Sequence, residues 1–147
     1  MHKIAWLRNH VHAMHHEHTS PMFSWAAGWV HPVEIALAIV CEMAFPVLYK
    51  VHPLSLWFFI ATWVFWLCEE HSGDHVWWSL WNMLPFGVGG GSVPHDIHHA
   101  PHTTRNFSFV FVVWDKLFGT FEEPEGEDWK KRWARMDKNT HAVKNQE

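Results

Sequence analysis

The sequence is poor in the residues that several common kinds of protein depend on. It has two cysteines, Cys41 and Cys68, far apart, both inside apolar runs and without a CxxC spacing. A disulfide framework and a thiolate metal site are therefore not expected, and reduced, buried thiols are. Charged residues make up only 18% of the chain, and the net charge is −4 with histidine neutral. The few Lys and Arg form no stripe interleaved with stacking aromatics, so no nucleic-acid partner is expected. The first eighteen residues contain no apolar h-region and do not read as a signal peptide. At 147 residues the chain is sized for one core.

Against these absences stand fifteen histidines and twelve tryptophans, both far above ordinary usage. Two apolar runs, residues 33–49 and 54–68, are separated by Lys50-Val51-His52-Pro53 and closed by Glu69 and Glu70. They predict a helical hairpin. Each run would be about 25 Å long as a helix, slightly short of the ~30 Å hydrocarbon core of a bilayer. A buried hairpin in a soluble bundle is the alternative to a membrane hairpin. Trp57, Phe58, Phe59, Trp63, Phe65 and Trp66 occupy every face of the second run, which favours the membrane because no face is left for water. Of eleven Lys and Arg only Lys50 lies at the tip, which puts both ends of the hairpin on the cytosolic side.

The expected fold is all-α, an integral membrane helical protein with a transmembrane hairpin at about residues 33–68 and a histidine-rich metal site at the cytosolic face. Glu34 and Glu42 sit within the first run, where a carboxylate needs an end, a protein neighbour or a proton; packing against another helix is the simple expectation. Pro46 is expected to kink or end that helix. Residues 77–94, with Gly87, Gly89, Gly90 and Gly91, read as an irregular loop feeding a site. Residues 122–147 read as a polar C-terminal tail following a catalytic unit of residues 1–121.

His12-Ala-Met-His15-His16 and His95-Asp-Ile-His98-His99 are two copies of HxxHH. On a helix, positions i, i+3 and i+4 share a face, so each copy is expected to bring three imidazoles together on a metal. Imidazole suits iron, zinc and copper. His71-Ser-Gly-Asp-His75 follows the second apolar run, and a chain that goes up and returns brings His71 to the level of His12. For His18, His31, His52, His102 and His141, surface or supporting roles are expected.

The stretches HAMHHEHTSP, EEHSGDHVWWSLWNMLPFGVGGG and HDIHHAPHTTRNFSFVFVVWDKLFGTF resemble the boxes of the fatty acid hydroxylase / sterol desaturase superfamily. The resemblance extends to about Phe121, and HDIHH followed by Asn106 and WDKLFGT is its most specific part. The HSG and LPFG elements look closer to the C-4 methylsterol oxidase and sterol side-chain hydroxylase branches. The resemblance implies two iron ions held by histidines, with His12, His15, His16, His71, His95, His98 and His99 as ligands. His75 matches the HxxxH of acyl hydroxylases, departs from the sterol-type pattern, and is carried as a further ligand. Asp96, beside three of the ligands, is expected to orient an imidazole. Asn106, Trp114 and Asp115 match family positions and are expected to support the site.

An O2-using monooxygenase acting on C–H bonds of a sterol or fatty acyl lipid follows from this resemblance, with an external electron donor of the cytochrome b5 or ferredoxin type. In a eukaryote the endoplasmic reticulum membrane would be its place. Desaturation is the alternative within the same chemistry. A non-catalytic, zinc-binding histidine-rich membrane protein is the alternative from another class, and zinc is also a possible substitute in preparations. Relatives have an earlier HxxxH box whose second histidine His2 matches, ten residues before His12. The first histidine of that box would fall upstream of Met1, so one iron is expected to be under-ligated unless His10 or His18 substitutes.

Overall fold

Two His-Pro steps start the long helices. His31 Nδ1 accepts from the Val33 N–H and His52 Nδ1 from the Leu54 N–H, both at 3.2 Å. The proline that follows each histidine occupies the first turn, where a missing N–H is harmless. In the computed structural model, which describes residues 2–74, 78–100 and 104–123, these steps open α2 (Pro32–Leu48) and α3 (Pro53–Glu70). They were expected as surface or supporting histidines and prove to be helix caps. Lys50 turns the chain at the tip with a φ of 48°. Pro46 lies inside α2, two residues before its end, so the helix passes through it and then stops.

α2 buries none of its residues and α3 buries only Glu70. Phe45, Leu48, Trp57 and Phe58 are all largely exposed. The hairpin is thus present as expected, but no helix among the described residues is long and apolar enough to cross a membrane.

Before the hairpin, α1 (Ala5–Leu7) runs into a π-helical turn, Arg8–His12, followed by 3-10 turns at His15–Glu17 and Ser24–Gly28. After it come α4 (Leu80–Met83), a 3-10 turn at Pro85–Gly87, α5 (Ser92–His98) and α6 (Val113–Phe118). The stretch expected to be irregular therefore contains α4 and the start of α5, elements too short to display a helical period in sequence. An isolated bridge pairs Gly89 with Phe111, and no strand occurs among the described residues, in keeping with an all-α fold.

α3 packs on the Ser24–Gly28 turn and on α5, while α2 meets the π-helical turn. Two glycines allow close backbone approaches around the short elements. A Cβ at Gly73, where φ is +69°, would meet the Met22 carbonyl at 2.4 Å, and one at Gly89 would meet the Trp81 carbonyl at 2.2 Å. Backbone therefore touches backbone where any side chain would separate the layers. Of the predicted C-terminal tail only Glu122 and Glu123 are described; the rest lies outside the described residues.

Candidate metal centre

α5 is a short helix whose histidines face inward: His95, His98 and the capping His99 are all buried. The first HxxHH is built differently, with His12 ending the π-helical turn and His15 and His16 in the next 3-10 turn. These two segments, His2 and the residue that caps α3, His71, converge. His2, His12, His16 and His98 form one group of four, and His15, His71, His95 and His99 form a second. Within each group the four candidate ligand atoms lie within 4.8 Å of one another.

This corrects the expectation that each HxxHH gathers its three imidazoles on one metal. His12 and His16 stay together and so do His95 and His99, whereas His15 and His98 each join the other group. Adjacent residues on an α-helix diverge by about 100°, while i and i+4 differ by only about 40°. On α5 the consecutive pair His98-His99 is thus splayed toward two centres; the first copy reaches the same division on its tighter and wider turns.

The second ring nitrogens determine what these groups can bind. His71 Nδ1 donates to the Leu67 carbonyl at 2.8 Å, His98 Nδ1 to Arg105 at 2.9 Å, His99 Nδ1 to His18 at 3.1 Å and, more loosely, His15 Nδ1 to Trp29 at 3.4 Å. A carbonyl can only accept, so Nδ1 carries the proton and a neutral ring presents a bare lone pair at Nε2. His15 Nε2 and His99 Nε2 nevertheless face each other at 3.0 Å. Burial, with neighbouring imidazoles adding to it, holds His15 down to about 4 and pushes His99 far below the ordinary histidine range, so neither supplies a second proton at neutral pH.

Two lone pairs at that separation call for a cation between them. Ligand nitrogens on one metal stand roughly 3.0–3.4 Å apart when the bonds are about 2.1 Å. His71 and His95 Nε2 at 2.9 Å, and His12 and His16 Nε2 at 3.1 Å, are close to that spacing. His2 Nε2 is 2.7 Å from His12 Nε2. Burial, with His98 nearby, lowers His2 to about 3, and burial with His98 and His12 lowers His16 to about 2. An all-imidazole donor set of this kind fits iron or another first-row divalent metal.

Glu34 supplies a carboxylate for the centre, accepting from His12 Nδ1 at 2.7 Å. A cavity of about 760 Å3 opens between α2 and α3 and reaches His2, His12, His15, His71, His95 and His98. Apolar side chains form most of its remaining wall, among them Ile35, Ile39, Ile60, Val64 and Leu67. Phe107 packs against His2 and His98, and Phe109 against His95 and Trp63.

The fatty acid hydroxylase family profile matches residues 1–120. The chain belongs to the fatty acid hydroxylase family. Cholesterol 25-hydroxylase-like protein 1, member 2, of Danio rerio is 39% identical over 119 residues, covering 81% of this chain and 42% of that protein. Very-long-chain aldehyde decarbonylase GL1-8 of Oryza sativa subsp. indica is 39% identical over 117 residues, 78% of this chain and 42% of its own length. For methylsterol monooxygenase 2-2 of Arabidopsis thaliana the identity is 38% over 117 residues, with 78% and 43% covered. The chain therefore spans about two-fifths of the length of these relatives. No solved structure matches it.

Among the residues singled out in this fatty acid hydroxylase chain, His2, His12, His15, His16, His71, His95, His98 and His99 come together; His75 lies outside the described residues. His10 is exposed and bonds the Trp6 carbonyl, and His18 contributes its carbonyl to His99, so neither joins a group. Each group has four histidines, and His2 is one of the four in the first group only. Asp96 is fully buried and accepts from the Ser20 hydroxyl and the Met22 N–H, tying the loop after the first HxxHH to α5.

Asp115 accepts from the N–H groups of Phe107 and Ser108 and from the Thr120 hydroxyl, which sets Phe107 against the histidines. Burial raises the Asp115 carboxyl, but these donors outweigh it and the net shift is downward. Asn106, at a φ of 53° that asparagine tolerates well, bonds Pro94 and Glu122 and steadies the start of α5. Trp114, expected to support the site, lies on the outer side of α6. Its neighbour Asp115 faces inward, and a step of about 100° turns Trp114 outward, leaving it 58% exposed. Sequence reasoning left the role of Glu34 open, because its partner His12 is 22 positions away and nothing local links them.

Proposed function

We propose that this chain forms the catalytic end of an iron-dependent, O2-using lipid hydroxylase, with a sterol or fatty acyl lipid as substrate. One observation carries the reading: two groups of four histidines, five of them with Nδ1 tied to an acceptor, come together, and six of the eight line one largely apolar cavity. His2, His12, His16 and His98 would hold one iron, and His15, His71, His95 and His99 the other. Iron held there supplies activation of dioxygen and removal of hydrogen from an unactivated C–H bond, chemistry that acid–base side chains cannot perform.

The chain's own residues orient and enclose. The Nδ1–H groups of His15, His71, His98 and His99 stay on their carbonyls, and that of His12 on Glu34, so each ring is locked with Nε2 inward. Phe107 and Phe109 present rings rather than water to a hydrocarbon entering the cavity. The exposed apolar surface of α2 and α3 suits a hairpin set into the bilayer from the cytosolic side, so that substrate enters from lipid. An electron donor of the cytochrome b5 or ferredoxin type, and the endoplasmic reticulum in a eukaryote, belong to the same proposal.

The test is oxygen uptake by the iron-loaded protein in lipid, with chemical reductant and product analysis by mass spectrometry. Reductant-dependent uptake with a lipid gaining one oxygen atom is expected. A lipid losing two hydrogens instead would identify a desaturase. Absence of uptake together with tight zinc binding would identify a non-catalytic metal protein, since zinc has no redox chemistry.

A further inference from the structure

The cavity is apolar along most of its length but carries one carboxylate away from the histidines. Glu34 sits at their level, bonded to His12, and Glu42 follows two turns later on the same wall of α2. From residue 34 to residue 42 the helix advances about 12 Å. Ile39, Met43, Ile60 and Val64 line the same cavity as Glu42. On α3, Trp63 lines the same cavity, and its indole Nε1 is enclosed and without a hydrogen-bond partner among the described residues. A half-buried carboxyl and an unsatisfied indole N–H thus line one apolar cavity.

We infer that Glu42 and the Trp63 indole N–H, which line the same cavity, form a subsite for the hydroxyl of a lipid alcohol whose hydrocarbon reaches the histidines. This inference rests on the proposed reading of the cavity as the lipid site and names the substrate class. A hydroxyl both donates and accepts, so it satisfies a carboxyl in either protonation state. A cationic head group fits less well, because an ion pair between apolar walls carries a heavy desolvation penalty, whereas a neutral hydroxyl carries a small one. With the hydroxyl held at Glu42, the length of the lipid selects which carbon is presented at the other end. Glu42 would therefore set regiochemistry without touching the reacting carbon.

The experiment measures equilibrium binding of two probes to the metal-loaded full chain in micelles: tritiated cholesterol and cholest-5-ene, the same hydrocarbon without the hydroxyl. The wild type should prefer cholesterol by about tenfold or more, the range of a hydrogen bond to a charged or strongly polar group. Glu42→Leu should erase that preference by weakening cholesterol alone, and Glu42→Gln should keep most of it. Trp63→Phe should reduce it several-fold, and this variant decides the matter if Glu42→Leu does not fold. An unchanged preference in Glu42→Leu or in Trp63→Phe overturns the inference. So does a wild type with no preference, whether both probes bind equally or neither binds. Oxygen-dependent product formation from membrane lipid is read separately: turnover without the binding preference removes the subsite and leaves the hydroxylase, and the preference without turnover does the reverse.

Discussion

Around the metal centre the buried side chains include His12, His15, His71, His95, His98, His99, Asp96, Asn106 and Asp115, whereas in the hairpin Glu70 alone is buried and Phe45, Leu48, Trp57 and Phe58 are exposed. The interior is polar and the long helices are apolar outside, the reverse of a water-soluble domain. On the proposed reading each half has its own complement: a cation would separate the histidine lone pairs, and an apolar surrounding would cover the hairpin's surface. Small apolar residues such as Val93, Ile97 and Ala100 do pack together. They form a minor cluster beside a centre held mainly by hydrogen bonds, so perturbing those bonds should move function and stability together.

Removing a ligand is the strongest way to break this comparison. His98→Ala, in the first group, should abolish product formation and remove about one iron per chain, measured by metal analysis and product assay. His52→Ala changes only the cap of α3, so turnover should persist while stability falls by about 1 kcal/mol; equal damage from both variants would contradict the separation of centre and hairpin.

Acidification of the metal-free protein should come next in size, and its direction follows from the lowered histidine pKa values. Above about pH 6.5 the rings are neutral whether or not the chain is folded. Below it, the unfolded chain takes up protons that the folded chain refuses until about 4 at His15, about 3 at His2 and about 2 at His16. Folding stability is therefore fully present above pH 6.5 and declines as the pH falls from there toward 4. Denaturation midpoints at a series of pH values should show that decline, and a flat profile across the window would count against neutral buried imidazoles.

Two smaller effects sharpen the picture of the supporting residues. Asp115→Ala strands two backbone N–H groups and a hydroxyl and should lower stability by about 3 kcal/mol, read from unfolding curves. Glu34→Gln keeps the shape but weakens the acceptor for His12 Nδ1. It should lower metal affinity by about 10- to 100-fold, read by competition with a chelator, with little change in melting of the metal-free protein.

Much of this was legible in the sequence, and the rest was hidden for physical reasons. The hairpin was readable because two apolar runs flank a proline turn, and most of the grouped histidines because histidine recurs at i, i+3 and i+4, while His2 and His71 were reached through the family resemblance and the return of the hairpin. The split of each HxxHH was not readable, since a shared helix face is too coarse to separate two neighbouring groups of histidines. His31 and His52 as caps were legible in principle, as His-Pro ahead of an apolar run, but histidine is not among the usual capping residues. Glu34 on His12 and Asp96 on Met22 were beyond reach, because both join segments brought together only by tertiary folding. The outward turn of Trp114 was not legible, because matching a family position says nothing of which way a side chain turns.

The division of each HxxHH also bears on how the centre fills. His12 and His16 serve one group and His15 the other, within a single short stretch, and His95, His98 and His99 repeat the arrangement on α5. Ordering either stretch around a first ion therefore arranges donors for a second, and part of the conformational entropy is already lost when that second ion arrives. If two ions bind in this way, the shared stretches would link the two binding events with positive cooperativity, and such a linkage is reciprocal. Native mass spectrometry during metal titration should show the empty and doubly filled chains together, with the singly filled chain scarce throughout.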